Sequence, residues 1–116
     1  MECRGQECPL NLDMNKKLGI LLSTPPSDKN LETVMGLISA ALRNNVSVYL
    51  YLDDDGVECI KDSRLLSMSG DGLKLSVCAY GAQKKGIEPS DVAMFGGLAV
   101  LSELISACDR FLAFGT

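Results

Sequence analysis

Apolar positions along the chain follow two periodicities, and these predict strands alternating with helices. Lys17–Ser23 and Val46–Leu52 are short, nearly continuous apolar runs, as expected of strands covered on both faces. Between them, Leu31–Leu42 carries apolar residues three or four positions apart, which is typical of a helix with one buried side. Leu73–Val77 alternates apolar and polar residues, which predicts a third strand.

The remainder of the chain continues the same alternation. Val57–Met68 predicts a short or irregular helix, and Val92–Phe95 a short fourth strand. Leu98–Cys108 has an apolar stripe at helical spacing that is expected to face the core, and Arg110–Phe114 predicts the last strand. Strands joined through helices favour right-handed βαβ units. The predicted fold class is therefore α/β: a three-layer α/β/α domain with a mostly parallel sheet of about five strands.

The 116 residues are enough for one domain with its own core, which we expect to span residues 16–116. Residues 1–15 show no periodicity and are predicted to form a flexible N-terminal arm. A net charge of −4 gives no electrostatic footprint for nucleic acid. No apolar run reaches the length of a membrane span, and the polar start of the chain does not read as a signal peptide.

The numbers of cysteines and histidines limit the kinds of catalytic and metal site that the chain can form. Five cysteines form an odd, scattered set, which favours reduced thiols and a cytoplasmic location. The chain has no histidine, which excludes Ser-His-Asp and Cys-His catalysis and histidine-ligated metals. Any cysteine nucleophile must therefore be activated in another way.

Cys78 stands where the third strand gives way to a helix. The residues after it have helical character up to Gly86, which is placed as a helix C-terminal residue. In open α/β sheets ligands bind at the carboxyl ends of strands, and a helix N-terminus favours an anion such as a thiolate. Cysteine is also a common core residue. Cys78 shares its side of the strand with Lys74 and Ser76, which indicates access to solvent, a cleft or a subunit contact.

An acidic loop supplies a competing motif. Asp53-Asp54-Asp55-Gly56-Val57 follows the second strand and resembles the nucleophile loop of haloacid-dehalogenase-type phosphatases. That resemblance implies a Mg²⁺-dependent phosphatase using Asp53 and Asp55. Val57 replaces the usual threonine, however, and no acidic metal pair follows downstream. The other interpretation is an acidic turn with Gly56 at a special backbone position.

Three segments in register resemble the DsrE/DsrF-like sulfur-relay family, which includes TusD and DsrE. Val77–Ile87, with its cysteine, small residues, two lysines and Gly-Ile, is similar to the active-cysteine segment of that family. Asp55–Val57 resembles the segment after the family's second strand, and Gly97–Arg110 its final helix and entry to the last strand. The resemblance covers Lys17–Phe114 and implies the same three-layer fold.

The resemblance implies a sulfurtransferase or sulfur carrier that holds sulfane sulfur as a persulfide on Cys78 and passes it to an acceptor thiol. It implies no cofactor and no metal, with persulfide-donor and thiol-acceptor proteins as partners. It also implies a cytoplasmic homotrimer or homohexamer, or a mixed complex with related subunits. The alternative within the family is a non-catalytic scaffold subunit that binds relay partners.

Further site residues follow from the expected topology. If the first three strands are neighbours, the residues after them form the rim of the Cys78 site: Ser23, Thr24, Asp55, Gly56, Ala79 and Tyr80. Arg4–Pro9 resembles the RG-x-x-C-P start of the small TusA-like sulfur carriers, with Asn11 in place of a second proline. That similarity implies that Cys8 is a possible auxiliary thiol on the N-terminal arm.

Overall fold

A computed structural model describes residues 16–70 and 72–115. Five strands form one parallel sheet in the order β4-β3-β2-β1-β5. The strands are β1 Lys17–Leu22, β2 Ser47–Leu52, β3 Leu73–Cys78, β4 Met94–Gly96 and β5 Arg110–Phe114. The helices are α1 Asn30–Arg43, a 3₁₀ helix Asp54–Lys61, α2 Ser63–Met68, α3 Ala79–Lys84 and α4 Leu98–Ala107. The predicted N-terminal arm, with Cys3 and Cys8, lies outside the described residues.

The strand order explains the layers. Strands β1 to β4 step across the sheet in one direction, so right-handed crossovers put α1, the 3₁₀ helix, α2 and α3 on one face. The chain then returns from β4 to β5 at the opposite edge, which puts α4 on the other face. The predicted three-layer α/β/α fold with five parallel strands is confirmed.

The core lies between the sheet and the first helical layer. Alternate residues of β1, β2 and β3 point into it and meet the apolar sides of α1, the 3₁₀ helix and α2. All of the following are buried: Ile20, Leu22, Val48, Leu50, Leu52, Leu73, Leu75 and Val77 from the sheet, and Leu31, Val34, Ile38, Val57, Ile60 and Leu65 from the helices. This core fixes the positions of the carboxyl ends of β2 and β3.

The opposite face is thinly covered. Helix α4 has ten residues, all described, and none of them is buried; Leu98 is 78% exposed and Ile105 49%. A helix that runs back along the strands is about 10–12 Å across, which is less than the width of five strands spaced about 4.8 Å apart. The prediction that the stripe in Leu98–Cys108 faces a core is therefore wrong for the single chain. Cys108 follows the helix, partly buried, with its sulfur near Gly19.

The crossover from β2 to β3 is more regular than the sequence indicated. The expected irregular helix at 57–68 consists of the 3₁₀ helix, which begins earlier at Asp54, and of α2. Asp62 separates them because its carboxylate accepts the backbone N–H of Arg64 at 2.8 Å and caps α2. Within residues 16–70 and 72–115 no helix is long and apolar enough to cross a membrane.

Candidate functional site

Cys78 is the last residue of β3 and the N-cap of α3. Its backbone is still extended, with φ −64° and ψ 117°, while the next residue is helical. The Cys78 Sγ takes the position of a capping oxygen and accepts the backbone N–H of Gly81 at 3.4 Å. The sulfur is partly buried, so it is held by the helix terminus and remains reachable.

Cys78 lies in a pocket of about 370 Å³ at the carboxyl ends of β2 and β3. The pocket is walled by the loop after β2 on one side and by α3 on the other. Its lining residues are Asp53, Asp54, Asp55, Cys78, Tyr80, Gly81, Lys84 and Lys85. A small, open and polar pocket of this kind suits a reactive group presented by another molecule better than an enclosed apolar ligand.

The two lysines of the pocket have different partners. Lys85 Nζ lies 2.6 Å from Asp55 Oδ1 and 3.6 Å from Glu58 Oε2, so it links α3 to the 3₁₀ helix. The hydrogen bond with Asp55 raises the pKa of Lys85. Lys84 Nζ lies 5.3 Å from the centre of the Tyr80 ring, within cation–π range. Tyr80 itself is 69% exposed beside the sulfur.

The acidic loop is held in place by a hydrogen bond within the loop and by close packing against β1. Asp53 Oδ1 accepts the N–H of Asp54 at 2.8 Å, and Asp54 has a left-handed backbone with φ 51°. Gly56 packs against the carbonyl group of Leu22, where any Cβ would collide with backbone atoms. Glycine is therefore required at this close approach. No cluster of three or more potential metal ligands occurs among the described residues.

Two of the predicted rim residues, Asp55 and Tyr80, line the Cys78 pocket. Ala79 follows Cys78 directly but borders a separate depression with Ile87 and Glu88. Gly56 is buried beneath the loop and supports it from below.

Ser23 and Thr24 are placed elsewhere, although β1, β2 and β3 are neighbours as expected. The Ser23 hydroxyl donates to the carbonyl of Phe114 at 3.2 Å and ties β1 to β5. Thr24 is buried, and its hydroxyl accepts from the Asn30 amide at 3.2 Å. Neither lines the Cys78 pocket, because β1 is separated from β3 by the full width of β2.

Tyr51 is a site residue that the sequence analysis missed. It is buried in β2, and its hydroxyl lies 3.2 Å from the carbonyl oxygen of Gly96 and 3.4 Å from that of Gly97. Burial is the main cause that raises its pKa, and the nearby Cys78 and the charge of Asp53 raise it further. The alternation in VSVYLYL, combined with pairing of the second and third strands, was the available signal.

The other described cysteines have surroundings that disfavour a thiolate. Cys59 is fully buried, its thiol donates to the Thr24 carbonyl at 3.6 Å, and burial raises its pKa to about 12. Partial burial also raises the pKa of Cys108. Of the three cysteines in the described part of the chain, Cys78 alone has its sulfur in a pocket at a helix N-terminus.

No protein-family model matches the chain, and no curated protein matches it. Solved structures do. The crystal structure of the ychN protein from E. coli matches with a TM-score of 0.66 and 18% identity, over 87% of this chain and 100% of that one. A conserved protein of unknown function from Bacteroides thetaiotaomicron, BT1422, matches with a TM-score of 0.66 and 17% identity, over 85% and 95% of the two chains. At these identities the likeness is one of fold, and the chain shares its fold with both proteins.

Proposed function

We propose that this protein is a sulfur carrier or sulfurtransferase in which Cys78 holds sulfane sulfur as a persulfide. The observation that carries the proposal is the position of the Cys78 sulfur, which accepts the Gly81 N–H at a helix terminus and lies in an open pocket. The sequence resemblance to the DsrE/DsrF-like family, into which we place the chain as part of this proposal, supports the same role.

Loading begins with the Cys78 thiolate. It attacks the outer sulfur of a donor hydropersulfide, so a new bond forms to Sγ while the S–S bond of the donor breaks. The donor leaves as a thiolate, and the proton stays on the transferred sulfur. Unloading repeats this exchange: an acceptor thiolate attacks the outer sulfur, the Sγ–S bond breaks and Cys78 leaves as a thiolate. Neither step involves a net oxidation or reduction, and neither needs a cofactor.

The openness of the pocket supports protein partners for both steps. Its lining of short acidic residues and two lysines leaves the sulfur accessible to a thiol carried on another protein. The exposed ring of Tyr80 offers an aromatic contact next to Cys78. Persulfide-donor and thiol-acceptor proteins in the cytoplasm are the partners that we propose.

We also propose that the chain assembles into a homotrimer or homohexamer, or a mixed complex with related subunits. The thinly covered face of the sheet supports this. Its exposed apolar side chains are Val92, Met94, Leu98 and Ile105. Beside them, a groove of about 740 Å³ runs along Tyr49, Lys74 and Ser76 of the sheet and Val100, Leu104 and Ala107 of α4. Apolar surface of this kind is typical of subunit contacts.

Two alternatives differ in what happens at Cys78. A scaffold subunit would bind relay partners without taking up sulfur. A Mg²⁺-dependent phosphatase would need the carboxylates of Asp53 and Asp55 free for phosphate and metal. Asp55 is instead paired with Lys85, and Asp53 bonds its own loop, so the site gives the phosphatase little support.

The test is persulfide loading of the full chain, followed by intact-mass measurement. Wild type is expected to gain one sulfur atom per chain, and Cys78→Ser to gain none. Cys59→Ser and Cys108→Ser are the matched controls and should load as wild type does, because their thiols are outside the pocket. No uptake by wild type would favour the scaffold. Uptake that survives Cys78→Ser and is lost with Cys8→Ser would move the site to the N-terminal arm.

A further inference from the structure

We propose that the Tyr51 hydroxyl is a positioning donor for the Cys78 sulfur, turning from the Gly96 and Gly97 carbonyls to Sγ whenever Cys78 is a thiolate. The role in sulfur transfer rests on the function proposed above. The hydrogen-bond switch itself requires only that Cys78 ionises.

The sheet register brings the two side chains together. Tyr51 of β2 pairs with Ser76 of β3, and Cys78 is two residues further along the same strand. Residues two apart share a face, so Tyr51 and Cys78 are diagonal neighbours on one side of the sheet. Cys78 in turn pairs with Gly96 of β4, whose carbonyl the Tyr51 hydroxyl contacts. The hydroxyl therefore lies between the strand that ends in the sulfur and the loop that follows β4.

The present hydrogen bonds of Tyr51 are weak enough to exchange. A phenol has one proton, and it is shared between two carbonyl oxygens at 3.2 and 3.4 Å. Both distances exceed the roughly 2.8 Å at which O–H···O bonds are most often found. A charged acceptor makes a stronger hydrogen bond than a neutral carbonyl does. Rotation of the hydroxyl toward a newly formed thiolate is therefore favourable, and Gly97 is exposed, so water can replace the lost bond.

The charged groups around the pocket do not supply a cation for the Cys78 thiolate, so neutral hydrogen-bond donors must stabilise it. Three carboxylates line it, those of Asp53, Asp54 and Asp55, against two ammonium groups. One of the ammonium groups, Lys85, is already engaged by Asp55 and Glu58. The remaining titratable groups facing Cys78 are Lys84, which lies over the Tyr80 ring, and Tyr80 itself. A thiolate is thus held by the Gly81 N–H and the Tyr51 hydroxyl. Burial raises the pKa of Tyr51, which keeps its proton in place.

In sulfur transfer this donor acts on the leaving group. When an acceptor thiolate attacks the outer sulfur of the Cys78 persulfide, the Sγ–S bond breaks and negative charge develops on Sγ. The Tyr51 O–H points at that charge and stabilises it without giving up its proton. The outer sulfur keeps its own proton and leaves on the acceptor.

The test compares Tyr51→Phe with Tyr49→Phe, which removes a hydroxyl from the same face of the same strand, two residues away. Alkylation of Cys78 is followed from pH 5.5 to 10 by mass spectrometry of its peptide. Loss of the donor makes the thiolate rarer but more nucleophilic, since intrinsic reactivity follows basicity with a slope of about 0.4–0.5. We expect Tyr51→Phe to react about threefold more slowly than wild type on the acidic limb and about threefold faster on the alkaline plateau. Tyr49→Phe should match wild type throughout.

A merely structural hydroxyl would not produce this crossing of the two profiles. If Tyr51→Phe shifts both limbs in the same direction, or changes only the thermal unfolding midpoint, the proposal is overturned. If Tyr51→Phe does not fold, 3-fluorotyrosine at position 51 is a stronger donor of nearly the same size and must shift the profile oppositely; an unchanged profile again overturns it. The alkylation experiment uses no persulfide donor, so its outcome does not depend on sulfur loading. If the two pH profiles cross but the protein never takes up sulfur, only the proposed function is contradicted.

Discussion

The two faces of the sheet are built from the same strands, yet they differ in almost every respect. One face packs against α1, the 3₁₀ helix and α2, and its side chains are buried, with Leu50 and Leu52 fully inaccessible. The second face of the sheet lies opposite α4 across a groove, and Leu98 and Ile105 of that helix remain exposed. Helix α1 on the first face and helix α4 on the second both carry apolar stripes. Apolar periodicity therefore predicts which side of a helix avoids water. The topology decides whether that side is buried within the same chain or stays exposed.

The comparison also separates the thiols. Cys59 belongs to the closed side, where burial keeps it protonated. Cys78 is at the end of the sheet, where the strand pattern stops and the side chain opens into a pocket. The reactivity that we propose for Cys78 thus belongs to an edge of the sheet where a strand ends and a helix begins.

The largest expected difference between the faces is in stability. Leu50→Ala on the closed face should lower the free energy of unfolding by about 3–5 kcal/mol, because a buried leucine loses its contacts and leaves a cavity. Leu98→Ala, at a position that is 78% exposed, should change it by less than about 0.5 kcal/mol. Urea unfolding at low protein concentration measures both. Similar losses for the two variants would mean that α4 is buried in the monomer in solution.

The next effect concerns assembly. Leu98→Glu puts a charge on the thinly covered face and should weaken subunit association about a hundredfold, since an unpaired charge in an apolar contact costs a few kcal/mol. Thr33→Glu, on the exposed side of α1, is the matched control and should assemble as wild type does. Light scattering over a concentration series distinguishes them. A wild type that is monomeric at micromolar concentration would contradict the proposed oligomer and leave the apolar face of α4 without a subunit contact.

The sequence predicted the fold well because its strands and the α1 stripe have clear periods. The order of elements, the five-stranded sheet and the junction at Cys78 all follow from such local patterns. The burial of the α4 stripe did not, because periodicity cannot distinguish a core from a subunit contact. Tyr51 was missed because the role that we propose for it depends on the pairing of β2 with β3 and of β3 with β4, which no single segment specifies.

The smallest predicted effect tests the closed face through the pH dependence of stability. Burial raises the pKa of the Cys59 thiol to about 12 from its ordinary value of 9.0, so above pH 9 the unfolded chain releases a proton that the folded chain keeps. The stabilising contribution of the neutral thiol is complete below pH 9 and is lost as the pH rises toward 12. The slope approaches about 1.4 kcal/mol per pH unit in that window. Cys59→Ala lacks this ionisation, so its free energy of unfolding should fall less steeply than that of wild type between pH 9 and 10.5. Cys108→Ala, at a partly buried thiol, is the control and should remain closer to the wild-type slope. Parallel curves for wild type and Cys59→Ala would show that the Cys59 thiol ionises as readily in the folded protein as in the unfolded one, which a closed face does not allow.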